Sequence, residues 1–304
     1  MLLVLIDGNA VLHRSYHATP RFEVEGRLVN AIYGFISTLF STIEKFKPTH
    51  LAVAFDVKGP TFRDEIFKQY KAKRIKPPQE FYDQIPDVWE FVDKMSIPLL
   101  SKEGYEADDL IGTIVKKVNG DFKEGEIIIV TGDQDALQLV DQRTKVAMSA
   151  MGKIKEMVYD ETAVLGKFGF PPETIIDYKA LSGDSSDNIP GVAGIGEITA
   201  KALLKNYGSL KGIYEALEDK QSFEEKFKNS VYQKLLNGKQ DAFMSYLLAT
   251  IKTDVELDFP IARAKTHDFD RAKVIDFLQK YRFKSLIKRL PQSDRGITTQ
   301  ESLF

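Results

Sequence analysis

Three short apolar runs, "LLVLI" (2–6), "LAVAF" (51–55) and "IIIV" (127–130), constrain this chain more than any other feature. None of them alternates between apolar and polar residues. Each is therefore expected to be covered on both faces, as in the buried strands of a parallel sheet. Amphipathic stretches at 30–46, 81–95 and 106–118 lie between or beside them. The spacing predicts an α/β fold, with a mostly parallel central sheet flanked by helices. The segment 145–159, "KVAMSAMGKIKEMVY", reads as a hairpin turning at Met151-Gly152.

An acid follows every run: Asp7, Asp56, and Asp133 with Asp135. In an open parallel sheet the crevice beyond the carboxyl ends of the strands is where ligands bind. These acids should therefore share one edge. Glu106, Asp108 and Asp109, in "GYEADDLIG", open the helix before the third run and can join them. One Asp after a strand is most simply a helix cap or turn residue, but three strand ends and an acidic helix start together point to metal binding. Crowded carboxylates repel one another unless they are protonated or neutralised by a cation. Oxygen donors favour magnesium, with manganese as a substitute, and paired metals can activate water against a phosphodiester.

The chain has 304 residues, of which 43% are hydrophobic, enough for a sizeable core. It has no cysteine, which excludes disulfides and thiolate metal sites. No apolar stretch approaches the ~20 residues of a membrane span, and "MLLVLI" lacks the features of a signal peptide. A cytoplasmic protein fits best. The formal charge of −2 hides a basic surface: 44 acids less nine grouped at one site leaves 35 against 42 Lys and Arg. Such a surface suits phosphates.

The motifs "LIDGNAVLHRSYHA" (5–18), "AFDVKGPTFRDEIFKQYKAKR" (54–74), "GYEADDLIG" (104–112), "VTGDQDALQLV" (130–140) and "LSGDSSDNIPGVAGIGEITAKALL" (181–204) resemble the 5′-nuclease family. That family comprises the 5′→3′ exonuclease domain of bacterial DNA polymerase I and the flap endonucleases. The resemblance implies a PIN-like α/β core over 1–170 with a helical arch around 67–95. A helical duplex-binding region follows over 171–290, with a helix–hairpin–helix at 191–204, and then a flexible tail at 291–304.

Carried over, the first metal cluster falls on Asp7, Asp56, Glu106, Asp108 and Asp109, and the second on Asp133, Asp135, Asp184 and Asp187. Lys71 and Arg74 match the family's catalytic bases in the basic segment "FKQYKAKRIKPP", and Tyr70 matches its stacking residue. Arg63 is expected to contact phosphate. Gly194, Gly196, Thr199 and Lys201 are expected to hold the duplex backbone, beside a potassium ion. The implied activity is magnesium-dependent, two-metal hydrolysis of DNA at 5′ flaps and ends, serving primer removal and repair.

His13, Arg14 and His17 read as packing or phosphate contacts, and Phe81, Trp89 and Phe91 as core. The terminal "QESLF" places Gln300, Leu303 and Phe304 where a sliding-clamp peptide would lie, which suggests a free-standing, monomeric nuclease. A PIN-domain ribonuclease, a junction binder without activity and a phosphatase are the alternatives. The glycine loop at 191–204 and the complete acid set argue against them.

Overall fold

The computed structural model describes residues 1–148 and 157–294. Eight strands occur in them: β1 (Leu2–Asp7), β2 (Glu23–Val24), β3 (Arg27–Leu28), β4 (His50–Ala54), β5 (Leu99–Leu100), β6 (Glu126–Thr131), β7 (Thr144–Met148) and β8 (Met157–Tyr159). Six form one sheet in the order β5-β4-β1-β6-β7-β8, and β2 and β3 make a separate small hairpin. All neighbours in the large sheet are parallel except β7 and β8. The antiparallel pair matches the expected hairpin, whose turn at Met151-Gly152 lies outside the described residues.

β1 shows why the apolar runs do not alternate. Leu3 and Leu5 pack on one face with the helix α6 (Ala107–Asp121), while Val4 and Ile6 pack on the other with α1 (Gly8–Ala18) and α2 (Asn30–Phe46). All four are essentially solvent-free. Each buried side chain of this size contributes about 1.5–3 kcal/mol of burial free energy, so the central strand holds both layers together.

Short helices α3 (Phe62–Ile66), α4 (Gln79–Tyr82) and α5 (Ile85–Lys94) lie between β4 and β5. After β8 the chain is helical: α7 (Glu161–Phe168), α8 (Ile175–Ser182), α9 (Glu197–Tyr207), α10 (Leu210–Ala216), α11 (Lys220–Lys226), α12 (Asn229–Asn237) and α13 (Lys239–Ala249). The chain then returns through α14 (Arg271–Lys280) and α15 (Lys284–Ile287) to the β4 side of the sheet. Phe81 and Phe91 are buried in that layer, as expected of core residues.

Residues 67–78, the base of the arch that the resemblance implies, are not helical, in keeping with the helix-breaking Pro77 and Pro78. They form turns and an extended stretch, and helix resumes only at α4. Pro77 and Pro78 supply no backbone N–H and exclude the preceding residues from helix. Lys71 takes a left-handed φ of 52°, and its N–H donates to the Asp187 carbonyl at 2.9 Å. The segment lies down as a strap against the start of the helical region.

Candidate metal and nucleic-acid site

Seven of the nine acids line one cleft of about 710 Å³ at the carboxyl ends of β1, β4 and β6: Asp7, Asp56, Glu106, Asp108, Asp133, Asp135 and Asp184. Asp7 is both a helix cap and a cleft residue. Its carboxylate accepts from the Ala10 N–H at 2.9 Å and from the Thr131 hydroxyl at 2.7 Å. Asp133 likewise caps the 3-10 turn Gln134–Leu139 by accepting from the Asp135 N–H at 3.0 Å. Asp56 accepts from the Ala107 N–H at the start of α6, at 2.7 Å. Capping and cleft placement are thus compatible: each cap fixes the orientation of a carboxylate that also faces the cleft.

The inner acids strain against one another. Burial, then the charges of Asp56 and Asp133, push the Asp7 carboxyl up to about 6 despite its two hydrogen bonds. Burial and the charges of Asp7 and Asp133 hold Asp108 well above the usual carboxylate range. Burial also raises Asp56, where Glu106 adds to it, and Asp133, where Asp187 adds to it. Carboxyls in this condition are relieved by a bound cation, and the donors are all oxygen, so these residues fit hard divalent ions. As the side chains stand, no three described Asp, Glu or His residues close a metal cage.

Basic side chains from the protein itself occupy the outer part of the cleft. Lys71 Nζ lies 2.6 Å from Glu106 and 3.8 Å from Asp187, and Arg74 lies 2.5 Å from Asp187. Burial alone would lower both cations, but these acids outweigh it and raise them. Lys179, on α8, pairs with Asp135 and, at 2.7 Å, with Asp184. Burial would raise Asp184, but Lys179 and two Ser186 donors bring it to about 2. Asp187 is buried beneath the strap rather than on the cleft wall.

Three expectations are corrected. Asp109 does not face the cleft: it is solvent-free, takes both Arg63 guanidinium nitrogens at 2.8 Å, and accepts from the Lys252 and Glu106 N–H groups at 2.8 and 3.1 Å. Arg63 is 3% exposed and also donates to the Leu248 and Thr250 carbonyls at 2.9 and 3.0 Å, so it cannot reach a phosphate. Tyr70 is buried, with its hydroxyl donating to Glu106 at 3.1 Å and Asp187 at 3.2 Å, and in this conformation offers no face to a base.

The acidic helix start thereby divides into three tasks. Glu106 caps α6 and lines the cleft, Asp109 completes the capping box and anchors Arg63, and Asp108 faces the inner acids. His13 lines the cleft and packs on Phe81, with ring centroids 4.4 Å apart. Burial, then His17 and Arg74, lower its pKa.

The expected phosphate loop joins α8 to α9. Gly183 and Gly191 have φ of 72° and 63°, and a Cβ on Gly191 would lie 2.2 Å from the Gly183 nitrogen. Only glycine permits that backbone approach. Gly194 and Gly196 are exposed, Thr199 is half-exposed, and Gly196 starts α9 with no side-chain cap. The first turn of α9 thus lies at an exposed, uncapped helix start, an arrangement suited to an anion. Lys201 pairs with Glu197 at 2.6 Å, and Lys234 donates to the Gly194 carbonyl at 3.0 Å.

Sequence reasoning missed Thr131, Lys179, Lys234 and Asn9, which lines the cleft and accepts from the Asp56 N–H at 2.9 Å. Only Lys179 left a signal, as a lone basic residue in the apolar helix "IIDYKALS" shortly before Asp184. Gln300, Leu303 and Phe304 lie outside the described residues. Among the described residues no helix is long and apolar enough to cross a membrane.

Residues 2–169 match the model of the 5′-3′ exonuclease N-terminal resolvase-like domain, and residues 170–272 that of the 5′-3′ exonuclease C-terminal SAM fold. The chain is 40% identical over 299 residues to DNA polymerase I of Caldicellulosiruptor bescii, covering 97% of this chain and 34% of that protein. It is 39% identical over 303 residues to DNA polymerase I of Bacillus subtilis, covering 99% and 33%. It thus spans about a third of the length of these relatives. Among solved structures, zinc-bound T5 5′-exonuclease superposes with a TM-score of 0.68 at 20% identity, covering 95% of this chain and 97% of that one. The catalytic core of Rad2 in complex with DNA substrate gives 0.60 at 16%, covering 95% and 90%. The likeness to both extends over the parallel sheet and the helices that follow it. With two adjoining domain models matched across most of its length, this chain belongs to the 5′-3′ exonuclease family.

Proposed function

We propose that this chain is a magnesium-dependent, structure-specific 5′ nuclease that cuts DNA near the junction of a duplex with a 5′ flap or end. The observation that carries the reading is the cleft itself. Strained carboxylates at three parallel strand ends adjoin a strap of cations and, one helix away, an exposed glycine loop at an uncapped helix start. In this reading Asp7, Asp56, Glu106 and Asp108 hold one divalent ion, and Asp133, Asp135, Asp184 and Asp187 contribute to a second. Bound there, the ions supply an activated water and Lewis-acid stabilisation of the leaving oxygen.

The protein's own part is positional. Thr131 and the Ala10 and Ala107 N–H groups orient the inner carboxylates. Lys71 and Arg74, once exchanged from Glu106 and Asp187 to the scissile phosphate, neutralise charge that grows in the transition state. Gly194, Gly196, Thr199 and Lys201 grip the duplex backbone without reading sequence. Arg63 and Asp109 take no part in contact; they tie α3, α6 and the end of α13 together. A potassium ion at the loop would meet a carbonyl already served by Lys234.

Primer removal and repair are the processes such cutting serves, and manganese should replace magnesium. The chain is proposed to act as a monomer. The clamp proposal for Gln300, Leu303 and Phe304 is tested by comparing clamp affinity of the full chain with one ending at Thr299; equal affinity removes it.

The reading is tested by cleavage of a labelled 5′-flap duplex, with magnesium and with chelator, beside single-stranded DNA, single-stranded RNA and blunt duplex. Magnesium-dependent cutting near the junction, fastest on the flap, is expected. Binding without cutting in either metal would favour a junction binder, and cutting of RNA alone a ribonuclease.

A further inference from the structure

The three cations that fill the outer cleft are not equivalent. Lys71 and Arg74 belong to the strap, a segment of turns pinned by the buried Tyr70, and with side chains 23% and 48% exposed they can turn outward to solvent. Lys179 cannot. It projects from α8, whose next two residues, Ala180 and Leu181, are fully buried in the main core. Its ammonium lies between Asp135 and Asp184, and its side chain is only 12% exposed.

We propose that Lys179 is the resident counter-ion of the outer carboxylates, a positioning residue that a second divalent ion must displace. It thereby makes the cleft fill in order, the inner acids first. The inference rests on the divalent-ion reading of the cleft. Two observations carry it beyond an ordinary ion pair. Asp135 and Asp184 come from different elements, one after β6 and one after α8, and in this structure Lys179 is the cation that pairs with both of them. Lys179 also forms part of the wall between the cleft and a second hollow of about 290 Å³, which Gln134, Glu197 and Lys201 help to line. The side chain thus borders open space on its far side, where Glu197 pairs with Lys201 at 2.6 Å.

The first experiment is calorimetric titration of the full chain, free of DNA, with manganese. The native protein should bind one ion tightly and a second weakly. Lys179→Gln should tighten the weaker class about tenfold or more and leave the tighter class within about twofold, since removing a competing charge acts only where it sat. Lys179→Arg, which keeps the charge, should retain the weak class. An unchanged weak class in Lys179→Gln overturns the proposal. No manganese binding at all in the native protein would instead overturn the metal reading on which it rests.

A second measurement needs no variant. Amine acetylation of the native protein, read by mass spectrometry, should be slow at Lys179 without metal and about threefold or more faster at saturating manganese, as the ammonium leaves its ion pairs. An unchanged rate while both ions are bound would overturn the proposal even if Lys179→Gln failed to fold.

Discussion

The inner and outer halves of the cleft are built from the same residue type and are electrostatic opposites. At the strand ends Asp7, Asp108, Asp56 and Asp133 are raised by burial and mutual repulsion. On the side facing α8 and the strap, Asp184 is brought down to about 2 by Lys179, and Asp187 is bonded to Arg74 and Tyr70. Cations act on both halves, but only at Asp184 do they outweigh burial. The difference shows that counting carboxylates does not count equivalent metal ligands, because the cost of admitting an ion depends on what it must displace.

The sharpest way to break this contrast is to neutralise each half. Asp7→Asn should lower flap cleavage on the order of 10³-fold or more while flap binding persists, as measured by single-turnover kinetics and a chelated binding assay. Asp184→Asn should cost less, because the acid it removes is already paired. If the two losses are equal, the halves are not distinct.

Asp109 supplies the control within the same acidic motif. Arg63→Ala would strand its buried carboxylate, and a loss of about 3–5 kcal/mol in urea unfolding is expected, against a small loss for Asp108→Asn. Lys71→Ala should reduce cleavage about 10²-fold with duplex affinity little changed.

The pH dependence has opposite signs in the two halves. Because Asp7 is raised when folded, its contribution to stability is full below about pH 4 and is lost as pH rises through about 6, worth about 3 kcal/mol shared with its neighbours. Bound divalent ions should restore that loss, so the gain in Tm from magnesium should be near zero at pH 4 and grow through pH 6. Asp184 is lowered, so its contribution is present above about pH 4 and lost toward pH 2. A metal gain in Tm independent of pH would remove the contrast. The smallest effect expected is on Lys201→Ala, which should weaken duplex binding modestly and lower the salt slope by about one.

Much of this was legible in the sequence because it rests on local chemistry. Non-alternating apolar runs require cover on both faces, and an acid closing such a run lands at the sheet's ligand edge. Asp7, Asp56 and Asp133 were readable for that reason. Arg63 was not, since its burial depends on Asp109 and on the Leu248 carbonyl, 46 and 185 residues away. In one dimension an arginine in "TFRDE" resembles any exposed helix residue. Tyr70 was misjudged for a related cause: its burial depends on Glu106 and Asp187, 36 and 117 residues away. Lys179 was passed over because a lysine within an apolar helix gives no sign of which partner lies opposite.

The position of β1 in the sheet also sets when the cleft can exist. Leu2 pairs with Glu126 and Leu3 with His50, so the earliest strand stands between two that are synthesised later. Its edges cannot both be closed until the chain has passed Thr131, and Asp184 and Asp187 arrive later still. Such long sequence separations slow folding, and here they also time it. A ribosome-bound fragment that ends before Thr131 carries Asp7 but has no completed constellation around it. The carboxylate constellation is thus incomplete until Asp187 has been made.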